Sequence, residues 1–523
     1  MPLKNRLTLA NSLLLVLLLA LLLRLATFNG ALGSDDLVYF GRAVSLARGE
    51  WTSANYNGAL RYGFNLPAAA FIAVFGENLF AANLWPLLAS LLEIVAVYCF
   101  AERVMNQRAA AVSALLLATA PLHMAVASRI HADAVVSMFL TSSFVLLYFG
   151  AIRRHGGLLF AAGLAIGGVF WTKELALVTW FAMLPMAWLF REHWRLCLWP
   201  LCGALLMVGL HLGLMAFIAG DPLHLVKVVA HAVQRNFVAG GQGEDGATYY
   251  LKYLFVDLRH TGFLGFLTIL SMALVPAWFK REGRSSLGFG VTLMWWIGLL
   301  AVLSLFPVSL SPLRLTMKQS NYITLFLAPM ALLAGMAIAA LPPLAYRLAL
   351  ALSLSLGSLL GVMQQADYRA DTANSKAVGL FAAAHPNSLV IGSANNSALG
   401  NLWVRLLYPA AAIPNILDWR DLIESAEVVR DRRNRADAVY IVLDRQTLSQ
   451  GPTKPPTMTS LACWTHVETL LPVDLAWGNS LAASAARALQ TVQPLAHALD
   501  RLARPEPANV YQVSGANILC QAD

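Results

Sequence analysis

Along the first 364 residues, apolar runs alternate with short polar breaks. A membrane-spanning helix needs about 20 mostly apolar residues. Eleven stretches fit that template: 7–27, 82–101, 109–127, 132–150, 157–171, 175–190, 196–218, 262–279, 286–306, 320–341 and 344–363. The first has Lys4 and Arg6 ahead of a leucine run, as a signal peptide does. Its apolar core is longer than that of a signal peptide and further spans follow, which predicts an uncleaved anchor. Beyond residue 364 the pattern changes. Ser388–Ser393 and Ala438–Asp444 are short apolar runs that read as buried strands. Trp419–Arg435 has a helical pattern, and Gly451–Pro456 is a breaker-rich loop. The expected organisation is an all-α polytopic domain over 1–364 and a small α/β domain over 365–523. No repeat of fixed period is present.

Composition agrees. Of 523 residues, 58% are hydrophobic and 12% charged, about half the charged share of roughly 25% in soluble domains. Disorder, collagen-like fibre and an ordinary cytosolic enzyme are excluded. The net charge of +9 is unevenly spread: residues 1–364 carry 24 Lys+Arg against 14 Asp+Glu, and the remainder 13 against 14. The basic residues lie in short loops between apolar runs, which points to membrane topology or an anionic ligand, not nucleic acid. Cys99, Cys197 and Cys202 lie in or beside apolar runs and read as packing residues. The five cysteines show no zinc spacing.

Alternate short loops carry Lys4/Arg6, Arg103/Arg108, Arg153/Arg154, Arg191/Arg195, Lys280/Arg281/Arg284 and Arg347. The positive-inside rule makes that side cytoplasmic. Eleven spans then place the N-terminus inside and the C-terminus outside. A tail outside the cytoplasm permits a disulfide between Cys463 and Cys520. Ten of the 14 carboxylates of residues 1–364 fall on the outer side, together with Arg61, Arg129, Lys173, Arg314 and Lys318. Outer basic residues run against the topological rule. Headgroup contact and snorkelling account for them, and so does an anionic ligand at the outer face.

The outer loop 28–81 opens Gly33-Ser34-Asp35-Asp36-Leu37-Val38-Tyr39. Two adjacent carboxylates directly after a span are costly unless hydrated or used. A helix N-cap by Ser34 or Asp35 is the plain structural account. The loop continues through Gly49-Glu50-Trp51 and Arg61-Tyr62-Gly63-Phe64-Asn65-Leu66-Pro67 to an amphipathic stretch ending Phe75-Gly76-Glu77-Asn78. Trp51, Tyr56, Tyr62 and Phe64 suit either an interfacial aromatic belt or stacking on a sugar or lipid. His123 and His131 read as polar residues near an interface. His224 and His231, seven apart on one helical face, are weak evidence for a metal.

In this order the chain resembles the GT-C membrane glycosyltransferases, the group of the protein mannosyltransferases (glycosyltransferase family 39) and the lipid A aminoarabinose transferases. The similar pieces are the acidic pair with Tyr39, the Gly-Glu-Trp turn, Leu66-Pro67 and Phe75-Gly76-Glu77. They continue in Ala120-Pro121-Leu122-His123 through Asp133, in Trp171-Thr172-Lys173-Glu174, and in Lys318-Gln319-Ser320-Asn321-Tyr322 leading to Pro329. The resemblance covers roughly residues 1–345. Asp36 stands where the family usually has Glu, Asn321 where Arg often precedes the tyrosine, and Arg61 near where the aminoarabinose transferases carry Lys.

The resemblance implies a GT-C fold and transfer of a sugar from a polyprenyl-phosphate donor to a lipid, glycan or protein acceptor at the outer membrane face. The high Ala and Leu content and the small outer domain point to a bacterial inner membrane, which makes that face periplasmic. Asp35, with Asp36, would be the catalytic carboxylate, acting as general base or orienting the acceptor hydroxyl. The leaving lipid phosphate needs positive charge as the bond breaks, and Arg61, Arg129, Lys173 and Lys318 are the candidates. Tyr39, Tyr62, Asp133, Glu174 and Tyr322 would support them. No cofactor is required; a divalent ion at Asp35 and Asp36 is conceivable from the ligand chemistry but not indicated. An oligosaccharide ligase or polymerase on the same scaffold is the alternative. A transporter fits less well, because the acidic residues cluster at one face and no repeated halves are visible.

Overall fold

The computed structural model describes residues 3–234, 246–311, 313–408, 415–420, 432–444, 464–473, 477–488, 490–491 and 493–513. The chain divides into two compact units. One holds Met1–Phe28 and Val38–Val362, the other Asn29–Leu37 and Met363–Asp523. The segment 29–37, which opens the outer loop, thus groups with the C-terminal part.

The first unit is helical: α1 (Leu3–Ala26), α2 (Asp35–Ala47, whose first turn belongs to the second unit), α3 (Tyr62–Phe75), α4 (Leu79–Val104), α5 (Gln107–Ala118), α6 (Pro121–Ala127), α7 (Ala132–Ile152), α8 (Gly156–Thr172), α9 (Leu198–Ala219), α10 (His224–Val233), α11 (Tyr249–Phe255), α12 (Leu264–Arg281), α13 (Leu287–Leu305), a hairpin of β1 (Pro307–Leu310) and β2 (Leu313–Leu315), and α14 (Thr324–Ala340). The helix α15 (Pro343–Ala384) begins in this unit and continues, 42 residues long, into the second.

Among the described residues, seven helices are long and apolar enough to cross a membrane: Leu79–Val104, Ala132–Ile152, Trp194–Ala219, Leu264–Arg281, Leu287–Leu305, Ser320–Ala340 and Pro343–Ala384. The expected span 109–127 is instead two helices, α5 and α6, bent by 62°. Pro121 explains the break: it suits the first turn of a new helix and cannot continue the old one. The expected spans 7–27 and 157–171 are shorter apolar helices, Asn11–Ala26 and Gly156–Thr172. The stretch 175–190 falls in a 3₁₀ helix, Glu174–Phe190, with Pro185 inside it. At roughly 2.0 Å rise per residue that helix extends further than an α-helix of equal length. The apolar window of Ser320–Ala340 is 94% buried, as expected of a helix that is hydrophobic all round.

The second unit is built on a five-stranded sheet, in the order β4-β3-β5-β7-β6. Its strands are β3 (Ser388–Gly392), β4 (Ile416–Asp418), β5 (Ala438–Leu443), β6 (Trp464–Leu470) and β7 (Ala508–Val513). The first three are parallel; β7 runs antiparallel to both β5 and β6. All five residues of β3 are buried, which is why it reads as an unbroken apolar run. Phe381 and Val378 of α15 pack with Val390, Tyr440 and Val510 on one face, while Leu389, Ile391, Ile441 and Trp464 form the core of the other. Beside α15, the described residues of the unit include the helices α16 (Ala394–Leu407), α17 (Trp477–Ala488) and α18 (Gln493–Ala503). The Gly451–Pro456 loop, most of the expected Trp419–Arg435 helix, Cys463 and Cys520 lie outside the described residues.

Candidate functional site

Asn57–Leu60 forms a short 3₁₀ helix, and Arg61 joins it to α3. Asn65 holds this corner by donating to the carbonyls of Gly58 and Ala59 at 3.1 and 3.2 Å. Gly63 lets the start of α3 press against the end of α8: a Cβ there would lie 2.4 Å from Thr172 Oγ1 and 3.0 Å from the Trp171 backbone. That approach brings Arg61 beside the residues that follow Thr172.

Helix α8 stops at Thr172, and Lys173 is extended (φ −159°, ψ 106°). Adjacent residues on extended backbone point to opposite sides. Lys173 and Glu174 therefore do not pair with each other. Each takes a partner from elsewhere in the unit.

Glu174 receives a forked pair from Arg61, Nε to Oε2 at 3.2 Å and Nη2 to Oε1 at 3.1 Å, and a third bond from Asn57 Nδ2 at 2.7 Å. Arg61 also donates to the Tyr39 hydroxyl. Burial alone would raise the Glu174 carboxyl, but the Arg61 charge and the hydrogen bonds overrule it and hold it at about 2. Lys173 Nζ donates to Asp133 Oδ1 at 2.6 Å, both side chains being buried. The same ammonium sits 4.5 Å from the centre of the Tyr322 ring. Asp133 Oδ2 lies 3.3 Å from His131 Nδ1, and His131 also caps the start of α7.

The structure thus brings Arg61, Tyr39 and Glu174 into one cluster, and Asp133, Lys173 and Tyr322 into another, joined through the Lys173–Glu174 peptide. The Asp133 carboxylate takes Lys173 as its partner, and His131 Nδ1 accepts the Asp133 backbone N–H. Arg61, expected on the donor phosphate, is committed to a carboxylate through its fork. Lys173 has three donors, and Asp133 is its one hydrogen-bond acceptor among the described residues. Lys318 is buried just ahead of the 3₁₀ turn carrying Tyr322, and Arg129 is half-buried. Tyr62 and Phe64 are fully buried, so neither belongs to an interfacial belt. Tyr62 accepts from Arg42 Nη2 at 2.7 Å, and Phe64 packs against Tyr39. Trp51 and Tyr56 are exposed.

Asp35 and Asp36 form the first turn of α2. Asp35 is half-buried. Asp36 is buried, and its Oδ2 accepts the Leu32 N–H at 3.1 Å. Tyr39 follows Asp35 by one turn of the same helix, as its spacing of four requires. His224 Nε2 donates to the Ala54 carbonyl at 2.8 Å. No group of three metal-ligating side chains occurs among the described residues.

Sequence reasoning missed Arg42 and Asn57, and also a further buried polar cluster. Arg24 Nη2 meets His123 Nδ1 at 2.6 Å, and His123 Nε2 lies 3.1 Å from Glu93 Oε2. Glu93 Oε1 accepts from Ser137 and Thr141 at 2.7 and 2.8 Å. Arg24 and Glu93 both fall inside expected spans, and a charge there is itself a signal.

Three comparisons bear on the whole. A family model described as dolichyl-phosphate-mannose-protein mannosyltransferase matches residues 63–218. A curated relative from Pseudomonas fluorescens, undecaprenyl phosphate-alpha-4-amino-4-deoxy-L-arabinose arabinosyl transferase 2, is 28% identical over 332 residues. That alignment covers 61% of this chain and 57% of the relative, so the match spans little more than half of the relative's length. Among solved structures, ArnT from Cupriavidus metallidurans in the apo state aligns with TM-score 0.56 at 16% identity, covering 87% of this chain and 95% of that one. The same protein bound to undecaprenyl phosphate gives 0.53 at 16% identity, covering 97% and 98%. The archaeal oligosaccharyltransferase AglB from Archaeoglobus fulgidus gives 0.55 at 12% identity, covering 85% and 70%. In sequence and in fold, this multi-pass membrane protein is similar to the GT-C glycosyltransferases of the mannosyltransferase and aminoarabinose transferase type.

Proposed function

We propose that this chain, on its GT-C scaffold, is an integral-membrane glycosyltransferase that moves a sugar from a polyprenyl-phosphate donor to a lipid, glycan or protein acceptor. The observation that carries the reading is the buried Lys173, held by Asp133 and Tyr322 yet hydrogen-bonded to one acceptor. An ammonium so placed has donors left for an anionic oxygen. Relatives with names or ligands of the undecaprenyl-phosphate class support the donor class.

In this reading the acceptor oxygen attacks the anomeric carbon. The bond from that carbon to the phosphate oxygen breaks, and its electron pair leaves with the lipid phosphate. The acceptor proton passes to Asp35. Lys173 supplies positive charge to the departing phosphate, with Lys318 and Arg129 as further cations. Arg61 acts through Glu174 and Tyr39, holding α2, instead of touching phosphate. Asp36 fixes the turn ahead of α2. The lipid phosphate is stable as an anion, so the step needs no general acid.

The finer topology belongs to the same proposal. Eleven spans, some short or bent, leave the N-terminus in the cytoplasm and an α/β domain in the periplasm of a bacterial inner membrane, with residues 1–364 as the transferase domain. The test is sugar transfer by the full chain in purified membranes, using undecaprenyl-phosphate-linked 4-amino-4-deoxy-L-arabinose, mannose and an oligosaccharide carrier in parallel. Transfer from a monosaccharide carrier that falls roughly 10²–10⁴-fold in Asp35→Asn at equal expression is the expected result. Transfer only from the oligosaccharide carrier identifies a ligase. An Asp35→Asn variant as active as wild type removes Asp35 from the chemistry.

A further inference from the structure

The turn that delivers Asp35 is bound to residues more than 300 positions away, all within the second unit. Asn29 is buried. Its Nδ2 donates to the Gln365 carbonyl at 3.1 Å and to the Gln365 side chain. Its Oδ1 accepts from Arg369 Nε at 3.1 Å, and its own carbonyl accepts from Arg369 Nη2 at 3.3 Å. Both side-chain ends and the carbonyl of Asn29 are therefore held by α15.

Between Asn29 and Asp35 the backbone takes conformations that it would not keep unaided. Gly30 (φ 75°), Gly33 (φ 111°) and Ser34 (φ 49°) all lie in the left-handed region. For Ser34, with a side chain, that is a cost, and such a residue persists only where its surroundings over-determine it. One surrounding contact is visible at Gly33. A Cβ there would lie 2.6 Å from Asn395 Oδ1, so the turn presses directly on the first turn of α16.

The start of α16 is itself fixed. Ser393 caps it by accepting from the Asn396 N–H at 3.2 Å. The Asn396 side chain donates to Asp444 Oδ2 at 2.8 Å at the end of β5, and accepts from Ser375 of α15 at 3.1 Å. On the other side of the turn, Asp36 Oδ2 accepts the Leu32 N–H, and the Asp36 and Leu37 N–H groups donate back to Gly33 and Ser34 at 3.2 Å each. A strained loop pinned at Asn29, pressed at Gly33 and closed at Asp36 has no slack.

From this geometry we infer that Arg369, with Gln365 and Asn395, are positioning residues for Asp35. The C-terminal unit sets where α2 begins, and hence where the carboxylate stands. The inference rests on the reading of Asp35 as the reacting carboxylate. It also gives the C-terminal region a part in the reaction. Misplacing a reacting group by about 1 Å costs on the order of 100-fold in rate, so loosening this turn acts on turnover and leaves donor binding alone.

The experiment uses the full-length chain with the undecaprenyl-phosphate monosaccharide that scores in the panel above. Donor KM and kcat are measured for wild type, Arg369→Ala, Arg369→Lys, Asn395→Ala and Asp35→Asn, with thermal unfolding followed in parallel. Arg369→Ala lowers kcat roughly 10- to 100-fold, with donor KM within about twofold. Arg369→Lys, which keeps the charge but not the fork, recovers part of the loss. Unchanged kcat in Arg369→Ala and Asn395→Ala beside an inactive Asp35→Asn overturns the positioning role and leaves the proposed function standing. An active Asp35→Asn overturns that function itself. Where Arg369→Ala does not fold, Arg369→Lys and Asn395→Ala decide: reduced kcat at constant KM in either supports the inference, and wild-type kcat in both overturns it.

Discussion

Two of the buried charged clusters in the first unit differ in how completely they are used. In the Arg24–His123–Glu93 cluster, Arg24 spends its donors on Ser90, the carbonyls of Ala20 and Ala118, and His123. Glu93 takes two hydroxyls on one oxygen and an imidazole on the other. In the Lys173–Asp133 pair, the ammonium meets one carboxylate oxygen and an aromatic face. A saturated cluster holds helices together. An unsaturated one, at a helix break, is equipped to receive something. On the proposed reading, leftover hydrogen-bonding capacity, and not burial or charge alone, separates the two.

The largest effect that would break this contrast is on stability. Glu93→Leu leaves Arg24 and His123 buried without their carboxylate, and removing one partner of a buried pair costs roughly 3–5 kcal/mol. We expect a marked fall in the detergent unfolding temperature, with donor KM unchanged in whatever protein folds. A stable Glu93→Leu with raised donor KM would reverse the assignment of the two clusters.

Lys173→Met sharpens the comparison from the other side. A hydrogen bond to a charged group contributes about 1.5–3 kcal/mol, so donor affinity should weaken roughly 10- to 100-fold. Titration with undecaprenyl phosphate itself, without a sugar, isolates the effect. Equal affinity for wild type and variant would remove Lys173 from the phosphate site.

The smallest effect is a pH dependence. The Glu174 carboxyl lies at about 2 in the folded chain against an ordinary 4.5. A depressed carboxylate stabilises fully above its ordinary value, and that contribution is lost as pH falls from 4.5 toward 2. Wild type should therefore lose its stability advantage over Glu174→Gln in that window and not above it. A difference between the two that is constant from pH 6 to 3 would mean that Arg61 does not depend on an ionised partner.

Much of this arrangement was legible from the chain. Each of the eleven apolar runs coincides with helix, because uniform hydropathy is a local property. The strands at 388–392 and 438–443 were equally readable, since parallel strands buried on both faces show no alternation. What hydropathy could not show was the break at Pro121 or the 3₁₀ geometry of 174–190, because both are as apolar as a straight α-helix. At the site, Lys173 and Glu174 stood out as charges between apolar runs, but their partners did not. The choice of Asp133 for one and Arg61 for the other follows from extended backbone at Lys173 and the missing Cβ at Gly63. Asn29 carried no signal at all: a polar residue after a span is ordinary until a distant helix is seen to grip it.

The deep cluster also bears on how the protein is made. Arg24 emerges from the ribosome long before Glu93, His123 and Thr141, and a lone guanidinium is expensive in lipid. Its direct partners outside α1 lie on α4, α5 and α6 (Ser90, Ala118 and His123), and the Glu93 that holds His123 is completed by Ser137 and Thr141 of α7. The network around α1 therefore stays incomplete until the chain has grown past residue 141. Membrane insertion of the first helix and its final seating are therefore separate events. A nascent chain arrested before that point should hold α1 loosely, at the insertion machinery or the lipid boundary, and lock it only when the hydroxyls of α7 arrive.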